Sequence, residues 1–170
     1  TTMGSPENAM NYIVNRLPVL CEVKNTSFNI ENEYERADEK FYNTETYTSA
    51  LNQIPLYTGK TLWKDIGDAS AIDRFRMIDR ASIKSSKNHK YKYRLLLCDA
   101  PQMNFILLEY NDGSKEVLFN WDFRGIGQDP TVLLSRDSKI VEMFSIHHEH
   151  LWRSASSDHD NIDTKSTSTK

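Results

Sequence analysis

The stretch 91–122 constrains the fold more than any other, because apolar residues are concentrated there into short runs divided by turn signals. Leu95, Leu96 and Leu97 form one run, Phe105, Ile106, Leu107 and Leu108 a second, and Val117, Leu118 and Phe119 a third. Extended segments that are apolar on both faces predict central strands of a sheet covered on two sides. The second and third runs are joined by Asn111-Asp112-Gly113-Ser114. Asp-Gly supplies positive φ at low cost, so this turn predicts an antiparallel hairpin.

Around this centre the chain reads as helices and short strands. Met10, Ile13, Val14 and Leu17 predict a helix over 6–17, ended by Pro18. Residues 19–23 read as a short strand or as the approach to a loop, and Lys24, Asn25, Thr26 and Ser27 favour the loop. An exposed acidic helix is expected from about residue 30, with Tyr34, Ala37 and Phe41 on one stripe. A further helix over 44–54 carries Tyr47, Ala50, Leu51 and Ile54 and is closed by Pro55. Residues 57–60 read as a turn, and 61–66 as a strand or the start of a short helix.

Phe75 and Met77 alternate with Arg74 and Arg76, the pattern of a half-exposed strand over 73–78. A flexible loop is expected over 82–90, a loop over 124–130 and a short strand over 131–134. Ser135 or Asp137 caps the last helix, which buries Ile140, Phe144, His148, Leu151 and Trp152 on one side. From residue 154 onward almost nothing is apolar, which predicts disorder.

A length of 170 residues suits one domain with a real core. The expected organisation is an N-terminal helix and linker over 1–29, an α/β domain over 30–155 and a disordered tail over 156–170. The fold class is α/β, with a mixed sheet whose central antiparallel hairpin is covered by helices on both faces. No apolar run reaches the roughly 18 to 20 residues of a membrane span. Residues 1–8 are small and polar, and leave a segment or domain upstream open. Cys21 and Cys98 sit among apolar residues, as buried thiols of a reducing compartment do, so the expected location is cytoplasmic.

Charge is unevenly spread. Residues 74–94 hold Arg74, Arg76, Arg80, Lys84, Lys87, Lys90, Lys92 and Arg94 against Asp79 alone, a local charge of +7 in a chain of net −3. With Arg74 and Arg76 on one strand face and Lys92 and Arg94 on the next, four cations are placed to clamp a phosphate or carboxylate. The competing reading is a row of solvated edge charges balanced by the acidic helix 31–39. Nucleic acid is disfavoured, because the segment lacks the exposed aromatics that base stacking uses.

Other constellations carry less. His147, His148, Glu149 and His150 offer metal ligands, but no second pair completes a zinc set, so no metal and no cofactor is expected. Gly125 and Gly127 lack the third glycine of a nucleotide-binding loop. Gly59-Lys60-Thr61 lacks the upstream glycine of a phosphate loop, the position being Ile54. No nucleophile is placed on a sharp strand-to-helix turn.

The order of elements over 44–155, ending in Leu133-Leu134-Ser135 and a helix with Phe144 and then Leu151-Trp152, resembles a half-unit of the phospholipase D-like fold. It is more similar to that fold's noncatalytic members, which serve as sensory or regulatory domains. Catalytic members carry His, one residue, Lys, then four residues and Asp, so that the histidine attacks phosphorus. Here His89 is followed two positions on by Tyr91, and no other histidine has Lys at that offset. The resemblance therefore implies a noncatalytic regulatory or sensory domain that binds an anionic ligand or a protein partner through Arg74, Arg76, Lys92 and Arg94. Two alternatives stay open. One is a phosphodiesterase or nuclease whose site is unrecognised in the sequence or is completed in a homodimer; the other is an adaptor that binds a basic partner through 31–39.

Overall fold

The computed structural model describes residues 1–28, 45–97, 102–120 and 131–157. Its strands are β1 (Thr2–Gly4), β2 (Leu20–Ser27), β3 (Leu62–Gly67), β4 (Tyr91–Leu95), β5 (Phe105–Tyr110), β6 (Lys115–Asn120) and β7 (Val132–Ser135). Its helices are α1 (Pro6–Val14), α2 (Glu45–Tyr57), α3 (Ile72–Ser85) and α4 (Ser138–Ser154). The strands make one mixed sheet in the order β1-β7-β6-β5-β2-β3-β4. β2, β3 and β4 run parallel, and β5 is antiparallel to β2.

The expected hairpin is β5–β6, with Phe105 opposite Phe119 and Glu109 opposite Lys115. Gly113 turns it at φ 86°, and Asp112 Oδ1 accepts from the Ser114 backbone N–H at 2.9 Å. A side chain at Gly113 would meet no steric block, so it is the positive φ that calls for glycine there. Alternate residues of the hairpin enter two cores. Leu108 and Leu118 join Ala9 and Ile13 of α1, Ile54 of α2 and Ile78 of α3 on one face. Phe105, Leu107 and Val117 meet Val141, Phe144 and Leu151 of α4 on the other. Helices thus cover both faces, as expected. Phe119 is only half-buried, its ring 5.0 Å from that of Phe144.

Several expectations are corrected. Residues 1–28 are not a helix and linker outside the domain: β2 lies between β5 and β3 at the heart of the sheet, and β1 pairs with β7. β2 continues through Lys24-Asn25-Thr26-Ser27 because its polar groups are satisfied within the sheet. Asn25 donates to Asp65, and Thr26 Oγ1 accepts from the Phe105 N–H at 2.9 Å. α1 ends at Val14, and a single 3-10 turn over Leu17–Val19, with Pro18 at its centre, buries Leu17. α2 runs through Pro55 to Tyr57, with Pro55 itself buried.

Residues 73–78 are helical, not extended. Phe75, Ile78 and Ser82 recur every three or four residues on the buried side of α3, while Met77 is 41% exposed. The two-residue alternation of Arg and apolar side chains was too short to distinguish the periods. The predicted loop 82–90 starts later, because wholly buried Ser82 is hydrogen-bonded to Thr58 at 2.8 Å within the last turn of α3. β4 is the edge strand, not a central one, and Leu97 beyond it is exposed.

At the chain's far end Asp137 caps α4, accepting from the Lys139 and Ile140 N–H groups. The expected tail is ordered at its start, since Ser156 and Leu95 exchange two backbone hydrogen bonds on the free edge of β4. The acidic helix 31–39, Cys98, the loop 124–130 and residues 158–170 lie outside the described residues. Among the described residues, no helix is long and apolar enough to cross a membrane.

Candidate ligand-binding cleft

The carboxyl ends of parallel strands are where open α/β sheets hold ligands, because successive crossovers leave a crevice there. At those ends of β2 and β3 lies a cavity of about 240 Å³ under α1, α2 and α3. Its apolar walls include Met10, Ile13, Leu51 and Phe75, and its polar lining includes Asn25, Ser27, Tyr47, Asp65, Arg74 and Asn104.

Asp65 is the chemical centre of this wall. It is 2% exposed, and its Oδ1 accepts from Asn25 Nδ2 at 3.0 Å and from Trp63 Nε1 at 2.9 Å. Its Oδ2 accepts from the Tyr91 hydroxyl at 2.5 Å. Burial raises the Asp65 carboxyl above its ordinary value, opposed by the hydrogen bonds from Tyr91, Trp63 and Asn25 and by the charge of Arg74. The Tyr91 phenol is held well above its usual range by burial and by the Asp65 charge, so it remains a donor.

Arg74 enters the same cleft from α3. Its Nη1 donates to the Tyr47 hydroxyl at 2.9 Å and its Nη2 to Ser27 Oγ at 2.8 Å. The guanidinium is thus fixed by one helix and one strand before any ligand arrives. Gly67 ends β3 beside this site, where a Cβ would come within 2.7 Å of both the Ala71 Cβ and the Ser27 carbonyl oxygen. Any side chain at Gly67 would push α3 away from β2.

The four cations expected to converge do not. Arg74 faces the cleft on the α1–α3 side, and Arg76 is exposed on α3. Lys92 and Arg94 do share a face of β4, but it is the α4 side of the sheet: Arg94 Nη1 donates to the Trp152 carbonyl at 2.8 Å and its guanidinium lies 4.5 Å from the Trp152 ring. The sheet therefore separates Arg74 from Lys92 and Arg94. A strand over 73–78 would put all four on one plane, and the helix removes that plane.

Asn25, Trp63, Asp65 and Tyr91 escaped the sequence reading. The available signal was the single carboxylate of Asp65 on the same strand face as Trp63, an acid where the pattern calls for an apolar residue. Of the histidines, His147 and His150 are exposed and His148 is buried against α4's own core, and no group of metal ligands forms among the described residues. Cys21 is half-buried, its thiol pushed up by burial and next by Glu109.

No protein-family model matches this chain, and no curated protein is similar to it. Its fold is similar to the solved structure of TrmBL2, an archaeal chromatin protein that shows a novel mode of DNA binding, with a TM-score of 0.57 and 14% identity. The match covers 92% of this chain and 53% of that one, so the chain spans about half the length of its neighbour. The expectation that nucleic acid is disfavoured is corrected by this finding. It rested on the want of exposed aromatics, whereas phosphate contacts need only cations, and TrmBL2, about half of whose chain is matched, binds DNA.

Proposed function

We propose that this chain is a noncatalytic regulatory domain that binds a small molecule, with an apolar body and an anionic group, in the cleft at the ends of β2 and β3. The observation that carries this reading is the fixed pair of opposite charges in the cleft wall, Arg74 held by Tyr47 and Ser27, and Asp65 held by three donors. Side chains locked by neighbours lose little entropy on binding, so they are suited to recognition. An anionic group would meet Arg74, while Met10, Ile13, Leu51 and Phe75 would contact the apolar part. Drug-sized ligands take sites from about 300 Å³ upward, so this cleft of about 240 Å³ suits a smaller molecule. The phospholipase D-like reading belongs to the same proposal, supported by the packing of Phe144, Leu151 and Trp152 of α4 on the sheet.

The test is a thermal-shift screen of small carboxylates, phosphates and nucleotides, with Arg74→Gln as control. A ligand that raises the wild-type midpoint and not that of the variant supports the reading. Equal stabilisation of both proteins, or steady hydrolysis of a phosphodiester by the wild type, would overturn it. A second reading is favoured by the likeness to a DNA-binding chromatin protein: the domain works on nucleic acid as well as on a small ligand.

A further inference from the structure

On the sheet face away from the cleft, Lys24 of β2 is in register with Lys64 of β3, and Lys64 with Lys92 of β4. Three lysines therefore stand side by side on adjacent strands, whose spacing is about 4.8 Å. Arg94 extends the group one step along β4, on the same face as Lys92. Like charges directly opposite one another destabilise a sheet, and among the described residues little offsets this. Lys24 has Glu22 at 3.9 Å, and Lys64 has the Trp152 ring at 5.4 Å. Among the described residues Lys92 makes no ion pair.

α4 covers the row only in part. It packs through Val141, Phe144 and Leu151 and reaches Ile66 of β3, leaving Lys24 and Lys64 half-buried beside its last turns and Lys92 exposed. The result is a step, with α4 as a wall, Trp152 at its foot and the lysines on the floor. His148 of α4 is buried on this side of the sheet, near Lys24 and Lys64. Its imidazole is pushed down to about 4, first by burial and next by the charges of Lys24 and Lys64.

We propose that the Lys24–Lys64–Lys92 row, with Arg94, is a contact surface for the phosphate backbone of double-stranded DNA. This deepens the second reading above and is independent of the small-molecule cleft, which opens on the opposite face. A linear polyanion matches a linear row of cations and supplies countercharge that the described residues give only at Lys24, through Glu22. Recognition is by backbone alone and so independent of sequence, since no side chain on the row is placed to read base edges. A lipid surface is a poorer fit, because it would need apolar side chains projecting beyond the cations, and Ile66 on this face is wholly buried under α4.

The experiment is fluorescence anisotropy of a short labelled duplex titrated with the chain at several salt concentrations. Three neutralised phosphates predict an affinity that falls about 40-fold between 50 and 200 mM salt. The triple variant Lys24→Gln, Lys64→Gln, Lys92→Gln should bind at least about tenfold more weakly and lose most of that salt slope. Arg74→Gln, across the sheet, should bind like the wild type. Circular dichroism of the triple variant should match the wild type, so that lost binding cannot be ascribed to unfolding. A triple variant that binds duplex with unchanged affinity and slope overturns this inference while leaving the second reading intact. A wild type that binds no duplex at low salt, or that binds anionic phospholipid vesicles in its place, overturns both.

Discussion

The two faces of the sheet treat charge in opposite ways. On the α1–α3 face both buried carboxylates are enclosed by donors. Asp65 has Asn25, Trp63 and Tyr91. Glu116, 2% exposed, accepts from the Tyr12 hydroxyl at 2.8 Å, from the Tyr110 hydroxyl and from Arg136 Nε at 3.0 Å. On the α4 face the cations of Lys24, Lys64 and Lys92 stand side by side, with Glu22 3.9 Å from Lys24 and Glu109 opposite Glu22 at one end of the row. The difference follows from solvation: a buried charge without partners costs several kcal/mol, so it persists only when satisfied internally. A half-exposed lysine keeps part of its water and can wait for an external partner. The first pattern fixes architecture, and the second is suited to recognition.

The enclosed carboxylate of Asp65 is the position at which a substitution should cost most. Asp65→Ala leaves the Asn25, Trp63 and Tyr91 donors facing an apolar gap, and should cost about 3 to 5 kcal/mol by urea unfolding. A loss under about 1 kcal/mol would show that water reaches the wall freely and that the carboxylate is not enclosed in solution. On the other face Leu107→Ala should cost about 2 to 5 kcal/mol, since Leu107 is 6% exposed against Val141 and Phe144. A small cost there would mean that α4 is loosely docked and that the step beside the lysine row is not rigid.

His148 couples the α4 face to pH. Its imidazole is held near 4 in the fold against an ordinary value of 6.5, by burial and then by Lys24 and Lys64. The unfolded chain therefore binds more protons between these values, so stability rises with pH across the window. The contribution is complete above about 6.5 and is lost as pH falls toward 4, on the order of 3 kcal/mol in all. Asp65, raised by burial, acts in the opposite sense over a window that opens at the ordinary carboxyl value. The measurement is accordingly the difference between wild type and His148→Phe, which keeps a ring beside Trp152 and removes the titration. Parallel stability curves for the two proteins from pH 7 to 4 would show that His148 is not held neutral.

What was legible in the sequence depended on how local its cause was. The hairpin at Asp112-Gly113 and the Asp137 cap are decided within four residues, and both are where the pattern put them. β2 was not, because its strand character comes from neighbours distant in the chain: Asn25 is satisfied by Asp65, forty residues on, and Thr26 by Phe105, seventy-nine residues on. α3 failed for a different reason, since Arg74, Phe75, Arg76 and Met77 fit either period over so few positions. That one error carried the site with it. Read as a strand, Arg74 joins Lys92 and Arg94; as a helix, it crosses the sheet to Tyr47 and Ser27. The lysine row was invisible for the same cause as β2, because Lys24, Lys64 and Lys92 become neighbours only through parallel register.

The smallest effect is the most pointed. If the row is a recognition surface held at some expense to stability, removing its middle charge should stabilise the free protein. Lys64 is the one to change, because it alone faces a lysine on both sides. Lys64→Gln keeps most of the stem that lies along the sheet, and removes two cross-strand repulsions against one distant contact with Trp152 at 5.4 Å. Pair effects of this kind are about 0.2 to 1 kcal/mol, so a gain of about 0.5 kcal/mol is expected at low salt. It should shrink as added salt screens the neighbouring cations. Lys92→Gln, with a lysine on one side only, should gain less. A loss of stability for Lys64→Gln, or a gain that salt leaves untouched, would mean that the row is already neutralised within the fold and has no charge left to offer a partner.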